Sequence, residues 1–359
     1  MPVEGNFWSA PEDVAKDADR IRFIIRTCVH RGDITHGTGH AIVDGRHAEE
    51  HLTQLDQWAR KRFQDATEDT PTIQVSLGDE SLFKSDNAWD ILQALPEPMI
   101  TLRGNHEAER FLPSDKFEEA TGQSIDSHFM RVGRMGIFML NPPYYHEAEL
   151  VPGKNLTTNG LDIADSYQGR IIRNYIPRQH ADEMLEAAAK MLKSGKKRDK
   201  IDAFMTIGHV PPKKSAKYEE AGSVWEHKFA LPDTLVCEGE SPFELERDKK
   251  GRYKLVHVRK VMEEVEELLD GKVSVGEFYG DMHPKRHTFF EKDRNRLAIM
   301  AFSKAVDENQ QPTPPQGHVV EVLYDNGEVT ITPHSVTYSE KKAQKSAPES
   351  PSDQLEPVQ

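Results

Sequence analysis

The chain has 359 residues, 36% of them hydrophobic and 30% charged, a composition typical of a folded globular protein with room for one large domain or two ordinary ones. A formal net charge of -14 argues against a protein that coats nucleic acid, although an enzyme that holds phosphate through metal ions stays compatible with it. No run reaches the ~18 apolar residues of a membrane helix, the opening MPVEGNFWSAPEDVAKDADR lacks the order of a signal peptide, and two cysteines (Cys28, Cys237) are too few for a disulfide framework, so a cytoplasmic protein without a membrane partner is expected.

In chain order, residues 1–20 read as an N-terminal extension and IRFIIRTC (21–28) as the first strand, followed by the Gly-rich polar loop HRGDITHGTGH. Leu52, Leu55, Trp58 or Ala59, and Phe63 recur at helical spacing. TIQVSL (72–77) is strand-like and runs into Gly78-Asp79; NAWDILQAL (87–95) is a short helix; Pro98 to Leu102 form a strand before Arg103-Gly104. Alternating strands and helices imply right-handed crossovers and a mainly parallel sheet.

Residues 127–141 look like two short strands around Gly133. A surface helix over about 179–198 puts Met184, Leu185, Ala188, Met191 and Leu192 on one face, with basic residues at its carboxyl end, where the helix dipole favours them. IDAFMTIGH (201–209) and VGEFYGDMH (275–283) are strands running into Gly-His and Gly-Asp-x-His. About 212–272 reads as an insertion carrying the amphipathic helix 258–269, with Val258, Val261, Met262, Val265, Leu268 and Leu269 on one face. Strands follow over 297–303, 318–324 and 328–334, the last two joined by the hairpin signal Asp325-Asn326-Gly327; the main domain covers 21–338, and 339–359 reads as a disordered tail.

Five strand ends therefore present oxygen, nitrogen or sulfur ligands just beyond an apolar run: Cys28-Val29-His30, Gly78-Asp79, Gly104-Asn105-His106-Glu107, Gly208-His209 and Gly280-Asp281-Met282-His283. In open α/β sheets ligands bind at that edge, and glycine lets the backbone turn tightly there. Converging on one edge, these ends could hold two divalent cations.

The ordered set resembles the calcineurin-like metallophosphoesterases, whose pattern is Asp-x-His, Gly-Asp-x-x-Asp, Gly-Asn-His-Glu or -Asp, a lone His after a strand, and Gly-His-x-His. The resemblance spans residues 21 to about 335. It implies a four-layer α/β/β/α sandwich of two mixed sheets and a site with two metal ions (Mn, Fe or Zn). Asp79 would bridge the metals, with His30 and His283 on the first and Asn105 and His209 on the second; Cys28 and Asp281 stand where the family has an aspartate and a histidine and are candidate ligands in their place. His106 would be the general acid near the leaving group, and Arg103 would hold the substrate phosphate, as in the phosphoprotein phosphatase version of this block. The implied reaction is hydrolysis of a phosphomonoester or phosphodiester by in-line attack of a metal-bound hydroxide. The substrate class spans phosphorylated small molecules, phosphoproteins and nucleotides, with nucleic acid disfavoured by the net charge.

Leu82 replaces the second aspartate of Gly-Asp-x-x-Asp, and leucine cannot orient an imidazole as that carboxylate would. Together with Cys28 and Asp281 this motivates an alternative, a degenerate member of the same fold that binds partners or scaffolds with little catalysis. Plain structural readings also stand beside the functional ones: Cys28 as a small hydrophobe, Asp281 as a turn or capping residue, Arg103 paired with Glu107. His36, His40, His47 and His51, at i,i+4 spacing in two pairs, lack a cysteine or acid in register for a separate zinc site.

Overall fold

The structure is a computed structural model that describes residues 15, 18–27, 61, 70–78, 99–104, 117–118, 121–141, 157–158, 161–162, 175–194, 201–209, 233–237, 244–269, 273–280, 288–291, 296–299 and 316–337. The first strands are β1 (Arg20–Arg26), β2 (Thr72–Ser76), β3 (Met99–Thr101), β4 (His128–Val132), β5 (Met135–Leu140), β6 (Thr157–Thr158), β7 (Leu161–Asp162) and β8 (Tyr175–Pro177). Helix α1 (Arg178–Lys193), β9 (Ala203–Gly208), β10 (Thr234–Cys237), β11 (Tyr253–His257) and helix α2 (Val258–Leu268) follow. The chain continues through β12 (Val273–Tyr279), β13 (Thr288–Glu291), β14 (Arg296–Ile299), β15 (Gln316–Asp325) and β16 (Glu328–Thr337).

Two mixed sheets stack face to face. The first has the order β16-β15-β1-β2-β3. In it β1, β2 and β3 run parallel, with Phe23 beside Ile73 and Val75 beside Ile100, and β15 returns antiparallel to β1, with Val322 beside Phe23. The second has the order β12-β9-β5-β4, with β12, β9 and β5 parallel and β4 antiparallel to β5.

Strand periodicity explains the stacking, because every second side chain of each sheet faces the other sheet. Ile21, Phe23, Ile25, Ile73, Val75, Leu77, Ile100 and Leu102 from the first sheet meet Ile137, Met139, Met205, Ile207 and Phe278 from the second in one core. Each such fully buried aliphatic or aromatic side chain contributes roughly 1.5–3 kcal/mol relative to exposure. The alternate residues of the second sheet, Phe138, Leu140, Phe204 and Tyr279, face the opposite way. They meet Ala181, Met184 and Ala188 of α1 and Val261, Met262 and Val265 of α2 in a second core. Burial on both faces is why β5 and β9 read as unbroken buried runs, MGIFML and AFMTIG.

Helix α1 begins at Arg178, directly after Pro177, and ends when Ser194 turns extended. Arg178 bonds Asp182 one turn on and reaches Glu264 of α2 at 2.8 Å, joining the two helices. The expected insertion supplies β10, β11 and α2; β11 pairs with both β10 and β8 in a small antiparallel sheet. At the entry to α2, the His257 ring accepts the Arg259 N–H at 3.1 Å and caps the helix. Asn326 at φ 50 and Gly327 at φ 97 give the β15–β16 turn the left-handed residues that such hairpins need.

The architecture is thus an α/β sandwich of two mixed sheets, with helices on the outer face of the second. The helices expected over 52–63 and 87–95 lie outside the described residues apart from Lys61. At one edge of the sandwich Arg134 contacts Asp202 and lies 3.5 Å from Asp19, while the Tyr324 hydroxyl donates to Asp202 at 3.0 Å. This clasp ties the two sheets at the edge where β9 begins; the candidate site lies at the edge where it ends.

Candidate active site

Strands β1, β2 and β3 of the first sheet and β9 and β12 of the second deliver their carboxyl ends to one place. Residues one to three places past those strands, Thr27, Gly78, Gly104, His209 and Gly280, are linked by a chain of close approaches. A Cβ added to Gly78 would lie 2.6 Å from the Gly104 nitrogen, 2.7 Å from its Cα and 2.9 Å from His209 Nδ1. One added to Gly280 would lie 2.1 Å from Thr27 Oγ1 and 3.3 Å from His209 Nδ1. Contacts this close are sterically open only to glycine, and at Gly78 a φ of 95° demands it as well.

Hydrogen bonds hold the cradle. Leu77 N–H donates to Arg26 O at 2.8 Å and Leu102 N–H to Ser76 O at 2.9 Å, extending the parallel ladders past the strands' ends. The Thr27 hydroxyl lies 3.4 Å from Gly78 O, and Gly280 N–H donates to His209 O at 2.8 Å. Between the sheets, His209 Nδ1 lies 2.7 Å from Leu77 O. A carbonyl only accepts, so Nδ1 carries the proton and the ring's basic lone pair sits on Nε2. Metal-binding histidines are commonly fixed in this way, with one ring N–H on a backbone carbonyl and the other nitrogen on the metal. His209 is fully buried, so its ring is held against motion as well as in one tautomer.

Arg103 is nearly buried, and its backbone N–H donates to Asn141 Oδ1 at 3.3 Å. Asn141 directly follows β5, so this bond crosses from the first sheet to the second. Of the residues singled out from sequence, the structure brings Arg103 and His209 to this edge. Cys28, His30, Asp79, Asn105, His106, Asp281 and His283 lie outside the described residues. Four of them, Cys28, Asp79, Asn105 and Asp281, are each the next residue in the chain after a member of the cradle: Thr27, Gly78, Gly104 and Gly280. Among the described residues no group of three His, Cys, Asp or Glu side chains is placed to hold a metal.

The cradle fits a metal centre on two observations: a histidine whose Nδ1 is committed to a backbone carbonyl, and glycines where a Cβ would fill the meeting point. Sequence reasoning missed Asn141, Gln123 and Thr27. For Asn141 the signal was present, since FMLN is another apolar strand running into a polar residue. Gln123, whose side-chain amide accepts the Thr101 N–H at 2.8 Å, carried none, because its role depends on which strand edge it meets. The single cysteine described, Cys237, is buried at the end of β10 with Leu235, Tyr253 and Leu255, and burial pushes its thiol up to about 12.

No family model matches the chain, and no curated protein matches it. Solved structures similar to it include a protein described as a 5′-nucleotidase of Staphylococcus aureus in complex with α-ketoglutarate, 12% identical with a TM-score of 0.41 over 89% of this chain. The match spans 54% of that protein's length. A phosphopantetheinyl hydrolase of Mycobacterium tuberculosis is 9% identical with a TM-score of 0.32, covering 79% of this chain and 89% of that one. A Saccharomyces cerevisiae protein serine/threonine phosphatase is 9% identical with a TM-score of 0.30, covering 92% and 88%. No helix among the described residues is long and apolar enough to cross a membrane.

Proposed function

We propose that the chain is a metal-dependent phosphoesterase working at the edge where the five strand ends meet. The observation that carries the reading is the His209 ring, buried and held through Nδ1 on Leu77 O, at a cradle whose members Thr27, Gly78, Gly104 and Gly280 are directly followed in the chain by Cys28, Asp79, Asn105 and Asp281. His30, Asp79, Asn105, His209 and His283 would hold two divalent ions of manganese, iron or zinc, with Cys28 and Asp281 completing the set as anionic ligands. Two such cations supply the positive charge that neutralises a phosphoryl group and acidify a water.

The chain's own residues do the rest. Arg103, presenting a planar fork of donors, binds and orients the phosphate, which favours a phosphomonoester. His106 gives a proton to the leaving oxygen. Because Leu82 cannot orient that imidazole, an ester with a good leaving group, such as an aryl phosphate, is the substrate to try first. The substrate would be a phosphorylated small molecule, a phosphoprotein or a nucleotide, and the setting a cytoplasmic one.

The test is turnover of an aryl phosphate and its bis ester with added manganese, in the natural protein and in Asp79→Asn. The reading expects metal-dependent turnover that Asp79→Asn lowers by at least about a hundredfold. Turnover unchanged in Asp79→Asn would refute the ligand assignment. No metal-dependent turnover in the natural protein would leave the binding or scaffold role as the better account.

A further inference from the structure

Strand β3 is three residues long and stands at the rim of its sheet, with β2 on one side. On its other side stand two side-chain amides where a neighbouring strand would be. The Gln123 amide accepts the Thr101 N–H at 2.8 Å and donates to Met99 O. The Asn141 amide takes the next N–H on that side, the one from Arg103 at 3.3 Å. Thr101 and Arg103 are two residues apart, so their N–H groups leave the same edge of an extended chain. The segment that launches Arg103-Gly104-Asn105-His106 is thereby fixed by a ladder on one side and by two amides on the other.

Asn141 is itself held from every side. Its backbone N–H donates to Ser127 Oγ at 2.9 Å, and the Ser127 hydroxyl returns a bond to Asn141 O at 3.0 Å. Its Nδ2 donates to Asp126 O at 3.2 Å, the same carbonyl that His128 Nδ1 meets at 2.8 Å. The Asp126 carboxylate lies 3.6 Å from Nε2 of the buried His180 on α1. Bonding at Nδ2 leaves only one way round for the amide, with Oδ1 toward Arg103. Asn141 is 1% exposed, so this arrangement sits away from competing water.

We propose that Asn141 is the positioning residue for Arg103, setting from the second sheet where that arginine meets a substrate's phosphate; the inference rests on the phosphoesterase reading. Asn141 touches neither the phosphate nor a metal in this account. It acts through the backbone of Arg103.

The experiment measures binding of inorganic phosphate by calorimetry, with metal content and kcat and KM for an aryl phosphate alongside. The proteins are the natural chain, Asn141→Ala, Asn141→Asp, Arg103→Ala, the Arg103→Ala/Asn141→Ala double variant, and Tyr324→Phe. The last removes the bond to Asp202 at the opposite edge and serves as the control for lost stability. Asn141→Ala is expected to weaken phosphate roughly fivefold and to raise KM similarly, with metal content unchanged and kcat moving less than about twofold. Asn141→Asp, which keeps an oxygen for the Arg103 N–H but loses the donor to Asp126 O, is expected to recover only part of that loss. In the Arg103→Ala background, Asn141→Ala is expected to add nothing, the mark of a residue that acts through its partner. Tyr324→Phe is expected to lower the melting temperature without altering phosphate affinity.

Additive losses in the double variant, natural phosphate affinity in Asn141→Ala, or an equal loss in Tyr324→Phe would overturn the proposal while leaving the phosphoesterase reading intact. A natural protein that loads metal yet neither binds phosphate nor turns over ester would overturn that reading and this proposal with it.

Discussion

Replacing Gly78 with alanine tests directly whether the strand ends meet. Two costs apply. At φ 95° an L-residue is strained by roughly 1–2 kcal/mol relative to glycine. The new Cβ would also lie 2.6 and 2.7 Å from backbone atoms of Gly104, which cannot rotate out of the way, and 2.9 Å from the His209 ring. Restoring ordinary contact at about 3.4 Å requires the strand ends to part by about 0.8 Å, and forcing a packed region apart in this way costs roughly 1–3 kcal/mol more. Gly327 supplies the matched control. Its φ is 97°, and nothing lies within 4 Å of a Cβ placed there, so Gly327→Ala carries the strain and not the clash. Both variants share the gain from a stiffer unfolded chain, which cancels in the comparison. Urea unfolding is therefore expected to show Gly327→Ala destabilised by about 1 kcal/mol and Gly78→Ala by about 2–4 kcal/mol, with phosphate ester turnover falling in Gly78→Ala alone. Equal losses in the two variants would show that Gly78, Gly104 and His209 do not converge.

The cap of α2 makes the fold sensitive to acid. Burial holds the His257 imidazole at about 4 against its ordinary 6.5, so from about pH 6.5 down to about 4 the folded chain binds fewer protons than the unfolded one. The stability from this site is complete above about pH 6.5 and is lost as the pH falls toward 4, a swing of about 3 kcal/mol. His257→Asn keeps an acceptor for the Arg259 N–H without a titrating ring, and a pH series of urea melts is expected to lose this step; an unaltered step would place the acid sensitivity elsewhere. The two cysteines should part under alkylation at about pH 8. Cys237, buried and with its thiol pushed up to about 12, is expected to stay unmodified in the folded chain, whereas Cys28 is expected to react only once a chelator has stripped the metal; peptide mass mapping reads both, and equal labelling of Cys28 with and without metal would remove it from the ligand set.

Much of the frame was legible because local and tertiary demands agree in it. Short apolar runs running into glycine marked β2, β3, β9 and β12, and the apolar run before Cys28 marked β1, since a parallel strand buried on both faces has no polar side to show. Asn326-Gly327 marked the β15–β16 hairpin because only residues at ease with positive φ close such a turn, and the spacing of Met184 and Ala188 marked α1. The small sheet of β8, β10 and β11 left no such trace. Its strands are 3 to 5 residues long, and Ile176 finds its partner Val256 across a large sequence separation, so no local period records the pairing. The site divides in the same way. His209 and Arg103 were visible as polar residues at strand ends, while the amides of Gln123 and Asn141 act on a backbone edge that only the assembled sheets define.

The most direct test of the two-metal account is metal content by mass spectrometry on protein purified without chelator, natural and His209→Asn side by side. The asparagine amide can still donate to Leu77 O in place of the ring Nδ1, so the fold is retained while the Nε2 lone pair is lost. The account predicts about two equivalents of manganese, iron or zinc in the natural protein and about one in His209→Asn. Less than about half an equivalent in the natural protein, or the same content in both, would contradict it.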